Sequence, residues 1–98
     1  MKPYKVTFDI SEQARDTAYQ VAREAFPQGS DFAVEAGDEG RVNVSFEIDS
    51  DDDHNQAHKL VAERTLEQYE KRGIDTKDIF ISVADHTDTG AIYLVHYR

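Results

Sequence analysis

The sequence predicts an α+β domain in which two helices pack on one face of a mainly antiparallel sheet. Three observations carry this. Apolar residues alternate with polar ones in Tyr4–Ile10 and again in Val42–Ile48, the period of two that marks half-buried strands. Two longer stretches, one between these runs and one after them, repeat their apolar residues at helical spacing. The chain has 98 residues and is 39% hydrophobic, enough for one core and a single domain spanning 1–98.

The elements follow in order. Tyr4, Val6, Phe8 and Ile10 alternate with Lys5, Thr7 and Asp9 to give the first strand. Ser11 stands where an N-cap belongs, with Glu12 near the positive end of the helix to come. Ala14, Ala18, Val21, Ala22, Ala25 and Phe26 form the apolar stripe of that helix, and their small size allows close approach to a sheet. Pro27 and Gly29 end it. Phe32, Val34 and Ala36 begin a second strand, and Gly37-Asp38-Glu39-Gly40 reads as a hairpin turn into the third, Val42 to Ile48. Ser50-Asp51-Asp52-Asp53 opens a second helix lasting to about Arg72, with Ala57, Val61, Ala62, Thr65, Leu66 and Tyr69 facing inward and Gly73 as its C-terminal stop. Ile79, Ile81 and Val83 mark a fourth strand, and Ala91 to Arg98 a fifth, beyond the turn-rich Asp85–Gly90.

The first six elements of this βαββαββ order match the split βαβ arrangement, so the fold resembles a ferredoxin-like plait with an added strand. Right-handed crossovers place strands one and three centrally. A hairpin would set strand five outside strand four, for a spatial order 2-3-1-4-5. The face without helices would show Lys5, Thr7, Asp9, Glu35, Asn43, Ser45 and Glu47, joined by Phe80, Tyr93 and Tyr97 toward the fifth strand. Such a fold hosts many functions and names none of them.

Composition narrows the function classes. Without cysteine there is no disulfide, zinc–thiolate or thiol chemistry. No apolar run reaches the roughly 18–20 residues of a membrane span, and Met1-Lys2-Pro3-Tyr4 runs straight into a strand pattern with no signal-peptide core, which suggests a cytoplasmic protein. Twenty acids against eleven bases give a net charge of −9. That balance disfavours direct contact with nucleic acid or anionic membranes and favours a cationic partner.

No motif for catalysis or cofactors stands out. Asp49, Asp51 and Asp53 alternate like the opening ligands of a calcium-binding EF-hand loop, but His54 and Leu60 occupy the positions that need Gly and Glu. Acids at a helix N-terminus also have the simpler role of complementing its dipole. His54 and His58 are one turn apart, and Asp51 could join them as ligands of zinc, nickel or copper; no general-base Glu accompanies them. His86 and His96 flank the last hairpin near Asp85 and Asp88 without an adjacent nucleophile. The glycines mark turns and helix ends, and no phosphate-binding loop is present, so no cofactor is expected. Strand three lacks the basic–Gly–aromatic pattern of RNA-binding plaits, and by alternation Phe46 points inward.

The acids are the strongest functional lead. Asp51, Asp52, Asp53, Glu63, Glu67 and Glu70 line the outer side of helix two. The expectation is a small non-enzymatic protein that binds a basic partner, itself a nucleic-acid-binding protein, by imitating phosphate spacing. In composition the chain resembles small phage-type inhibitors of restriction and CRISPR machinery. The plainer account is a solvated helix whose Lys59, Arg64, Lys71 and Arg72 form local ion pairs with the acids. Two alternatives stand beside the binding reading: a small dimeric plait-type enzyme or ligand sensor using His and Tyr side chains, and a divalent-metal binder at Asp51, His54 and His58. The apolar fifth strand, read as a sheet edge, adds Tyr93 and Tyr97 to the candidate contact residues and suggests a homodimer through that strand.

Overall fold

A computed structural model describes residues 2–51, 53–77, 79–83 and 91–96. The chain is an α+β domain with an antiparallel three-strand sheet and two helices. β1 is Lys2–Ser11, α1 is Arg15–Ala25, β2 is Ser30–Ala36, β3 is Arg41–Ser50 and α2 is His54–Lys71. β1 pairs along its whole length with β3, Lys2 opposite Ser50 through Ser11 opposite Arg41. β2 pairs with the other side of β3, with a register irregularity between Ser30 and Ala33.

The period of two does what the sequence suggests. Tyr4, Val6, Phe8 and Ile10 are buried, as are Val42, Val44 and Phe46 facing them across the β1–β3 register. Helix α1 covers these with Ala18, Val21, Ala22 and Ala25, and α2 adds Ala57, Val61, Thr65 and Tyr69. Phe46 is the centre of a ring cluster. Its centroid lies 5.2 Å from that of Phe26, 5.6 Å from that of Phe8 and 5.0 Å from that of Phe32, the last nearly parallel. The inward orientation of Phe46 removes the aromatic that an RNA-binding strand would have to display.

The structure departs from the sequence expectation in two places. Ser11 does not cap α1 with its side chain; it ends β1, and a 3-10 turn, Glu12–Ala14, leads into the helix. The Glu12 N–H is instead taken by the carbonyl of Gly40, 3.2 Å away, so the β2–β3 hairpin holds the start of this turn. Strand order differs as well. β4 (Ile79–Val83) and β5 (Ala91–His96) pair antiparallel with each other, but it is β5 that pairs with β1, in parallel. The order is β2-β3-β1-β5-β4, not 2-3-1-4-5. Both orders give the same strand directions, so polarity does not separate them. The backbone pairing does: β5, Ala91–His96, lies against β1 on one side and β4 on the other. β5 is therefore no edge, and the premise for a homodimer formed by strand addition at β5 is lost. The outer strands are β2 and β4.

The helix ends follow local rules. Asp53 is the N-cap of α2, its carboxylate accepting the Gln56 N–H at 2.9 Å. At the other end Gly73 takes φ +74°, and its N–H and that of Ile74 close onto the carbonyls of Glu70 and Tyr69. The β2–β3 hairpin closes through Gly37 N–H to the Arg41 carbonyl, 2.8 Å, with Glu39 and Gly40 both left-handed.

Candidate interaction surface

Helix α2 presents Glu63, Glu67 and Glu70 on its exposed side, at i, i+4 and i+7. The local cations neutralise this row only in part. Lys71 pairs with Glu67 at 3.3 Å. Arg72 turns away from the row: it donates to the Gln68 carbonyl and side-chain oxygens, both 3.0 Å, and pairs with Glu24 of α1. Arg64 lies 5.8 Å from the Phe26 ring centroid, a cation–π placement, and forms no ion pair among the described residues. Glu63 and Glu70 are left exposed and without an ion pair among the described residues.

A second acidic area lies on the sheet face away from the helices. Glu35, Glu47 and Asp49 are exposed there. Lys5 stands directly opposite Glu47 in the β1–β3 register. Asp9 is neutralised: the Arg41 Nε donates to its carboxylate at 2.7 Å and an Arg41 Nη to its backbone oxygen at 2.7 Å. Sequence reading missed this clamp. The signal is the β1–β3 register, which seats Arg41 opposite Ser11, two residues from Asp9 on the same face. Asp38 and Glu39 add exposed carboxylates at the hairpin tip.

The remaining predicted site residues fall as follows. Asp51 and Asp53 are exposed, and Asp53 is occupied in capping. Asp52, His86 and Tyr97 lie outside the described residues, as do the side chains of His54, Phe80, Tyr93 and His96. The backbone of Tyr93 stands opposite Thr7 on one side and Ser82 on the other. The Nε2 atom of His58 is sealed from solvent with no hydrogen-bond partner among the described residues, unlike the exposed Asp51 and Asp53. No three His, Asp or Glu side chains converge as metal ligands among the described residues.

Two of the concave regions among the described residues border α1. One, of about 520 Å³, lies between the end of α1, the end of β3 and α2, lined by Phe26, Pro27, Ile48, Asp49, Leu60 and Arg64 among others. Neither His58 nor Tyr69 reaches it. The other is a more open groove of about 580 Å³ between α1 and the β2 edge, lined by Arg15, Asp16, Tyr19, Gln20 and Val34. No helix of the described residues is long and apolar enough to cross a membrane. No family model matches this chain, and neither does any curated protein or solved structure.

Proposed function

We propose that this protein acts by binding a basic protein partner through its carboxylate-rich surface, without catalysis of its own. The observation that carries this is the un-neutralised state of Glu63 and Glu70 on α2 and of Glu35 and Asp49 on the sheet, all exposed and outside any ion pair among the described residues. A surface built only for solubility gains from interspersed opposite charges; here Arg64 and Arg72 are directed to an aromatic ring and to the other helix. Carboxylates held at the regular rise of a helix offer a rigid row of negative charge to a basic groove, with fast, salt-sensitive association. A nucleic-acid-binding protein is the partner this charge pattern suits, and imitation of phosphate spacing the mode.

The fold reading that goes with it is a ferredoxin-like plait extended by one strand, β5 being inserted between β1 and β4. The β1-α1-β2-β3-α2 order and the 2-3-1 core of the sheet support it. A cytoplasmic setting fits the absence of cysteine.

The test is an affinity capture from lysate of the native source at low and at high salt, identified by mass spectrometry. A stoichiometric nucleic-acid-binding protein retained at low salt and lost at high salt is expected. It should also be lost when Glu63 and Glu70 are both changed to Lys. Capture that ignores both salt and charge reversal contradicts the proposal.

A further inference from the structure

We propose that the outer edge of β2 is where an extended basic segment of the partner docks, added as a further strand with its apolar residues over the α1–β2 groove and its lysines or arginines facing Glu35. This rests on the basic-partner reading above and assigns it an element.

Among the described residues β2 has a strand neighbour on one side alone, β3. An unflanked strand offers a row of free N–H and C=O groups that an extended peptide can complete. Edges are commonly blunted by a bulge, and here the irregularity lies at one end, between Ser30 and Ala33, with Asp31 at φ +55°. Ala33 to Ala36 stay in unbroken register with Ser45 to Val42.

The two faces of this edge differ in chemistry. Val34 pairs with Val44, a fully buried core residue, so its side chain lies on the helix side of the sheet. It is nonetheless 43% exposed, the one large apolar side chain so exposed among the described residues. With Tyr19 it forms the apolar part of the groove. The groove also carries cations. Arg15 is part of its lining, paired with Asp16 of the same lining at 3.3 Å, and beside the groove the Arg23 guanidinium sits 4.8 Å from the Phe32 ring centroid and 5.9 Å from that of Tyr19. A valine on the groove side would cover Val34 and Tyr19, whereas a lysine would find the Asp16 carboxylate already paired with Arg15 and a second guanidinium, that of Arg23, beside Tyr19. On the opposite face Glu35 is exposed, and Glu47 stands across from Ser30. Because side chains alternate along a strand, the edge selects a segment in which apolar and basic residues alternate. Charge also decides between occupants. A second copy would set Asp31 and Glu35 against another acidic edge, and like charges across a strand pair are destabilising; a basic strand reverses that sign.

The test uses two labelled octapeptides of equal composition, one alternating valine and lysine, the other with four valines followed by four lysines. Fluorescence anisotropy reads binding to the full chain at low salt. The alternating peptide should bind at least about tenfold more tightly than the block peptide. Val34→Asp and Glu35→Lys should each weaken it about tenfold, while Asp75→Lys, a charge reversal at an exposed site outside both surfaces, changes it less than about twofold. Val34 is exposed, and circular dichroism of the variants verifies that they fold. Equal binding of both peptides, lost in Glu63→Lys, overturns the edge assignment and leaves the basic-partner reading standing. No binding of either peptide contradicts both. Self-association of the free chain that Val34→Asp abolishes overturns the peptide in favour of a second copy.

Discussion

Two hydroxyls on α2 lie in the core without partners among the described residues. Thr65 is fully buried and Tyr69 is 1% exposed, and neither Oγ1 nor the phenol oxygen has a hydrogen bond there. A buried group left unpaired carries a desolvation cost of about 1–3 kcal/mol, and an apolar replacement of the same shape removes it. Thr65→Val should therefore raise stability by about 1 kcal/mol, seen as a higher urea midpoint at unchanged slope. Burial also pushes the Tyr69 phenol up from 10.0 to about 12. The neutral form is thus favoured by folding: its contribution is complete below pH 10 and is lost as pH rises toward 12. Urea melts from pH 8 upward should show a loss that begins near pH 10, on the order of 3 kcal/mol when complete, and that is absent in Tyr69→Phe. Asp53→Ala should cost about 1 kcal/mol through the lost cap, with Asp53→Asn closer to wild type. The sequence already showed Asp53 as a helix opener and Phe46 as a core residue, because both depend on local spacing. It did not show the Asp9–Arg41 clamp or the exposure of Val34, which depend on strand register and on which strand lies outermost.

Elements divide along the same line. α1 and the β1–β3 pair were readable because each repeats its own period, whereas the stripe of α2 is broader, with Leu60 off to one side, and its ends were marked by Asp53 and Gly73. The position of β5 was not readable, since a hairpin after β4 can place the fifth strand on either side of the fourth. The helix start at Ser11 was misplaced for a different reason: a distant hairpin carbonyl, that of Gly40, takes the Glu12 N–H. At the far end of α2, Gly73 is left-handed, and no atom lies within 4 Å of where a Cβ would stand. Gly73→Ala should thus cost about 1 kcal/mol from backbone strain alone, with no packing defect. A urea midpoint for Gly73→Ala equal to or above that of wild type would contradict that assignment. The candidate surface was legible in part: the acidic row of α2 follows from helical spacing, but which acids stay un-neutralised depends on where Arg64 and Arg72 turn.

For the whole molecule the net charge of −9 matters more than any single pair. Such a surplus repels itself, so moderate salt should raise the melting temperature by screening. The same salt should weaken partner binding, and these opposite responses separate a charge effect on recognition from one on folding. The most direct measurement is the dissociation constant for the captured partner across a salt series, for wild type and for the Glu63→Lys, Glu70→Lys double variant. Wild-type affinity should fall steeply with salt, and the double variant should bind at least about tenfold more weakly at low salt with a shallower dependence. An affinity that is flat with salt, or equal in the two proteins, would contradict recognition through the carboxylate surface.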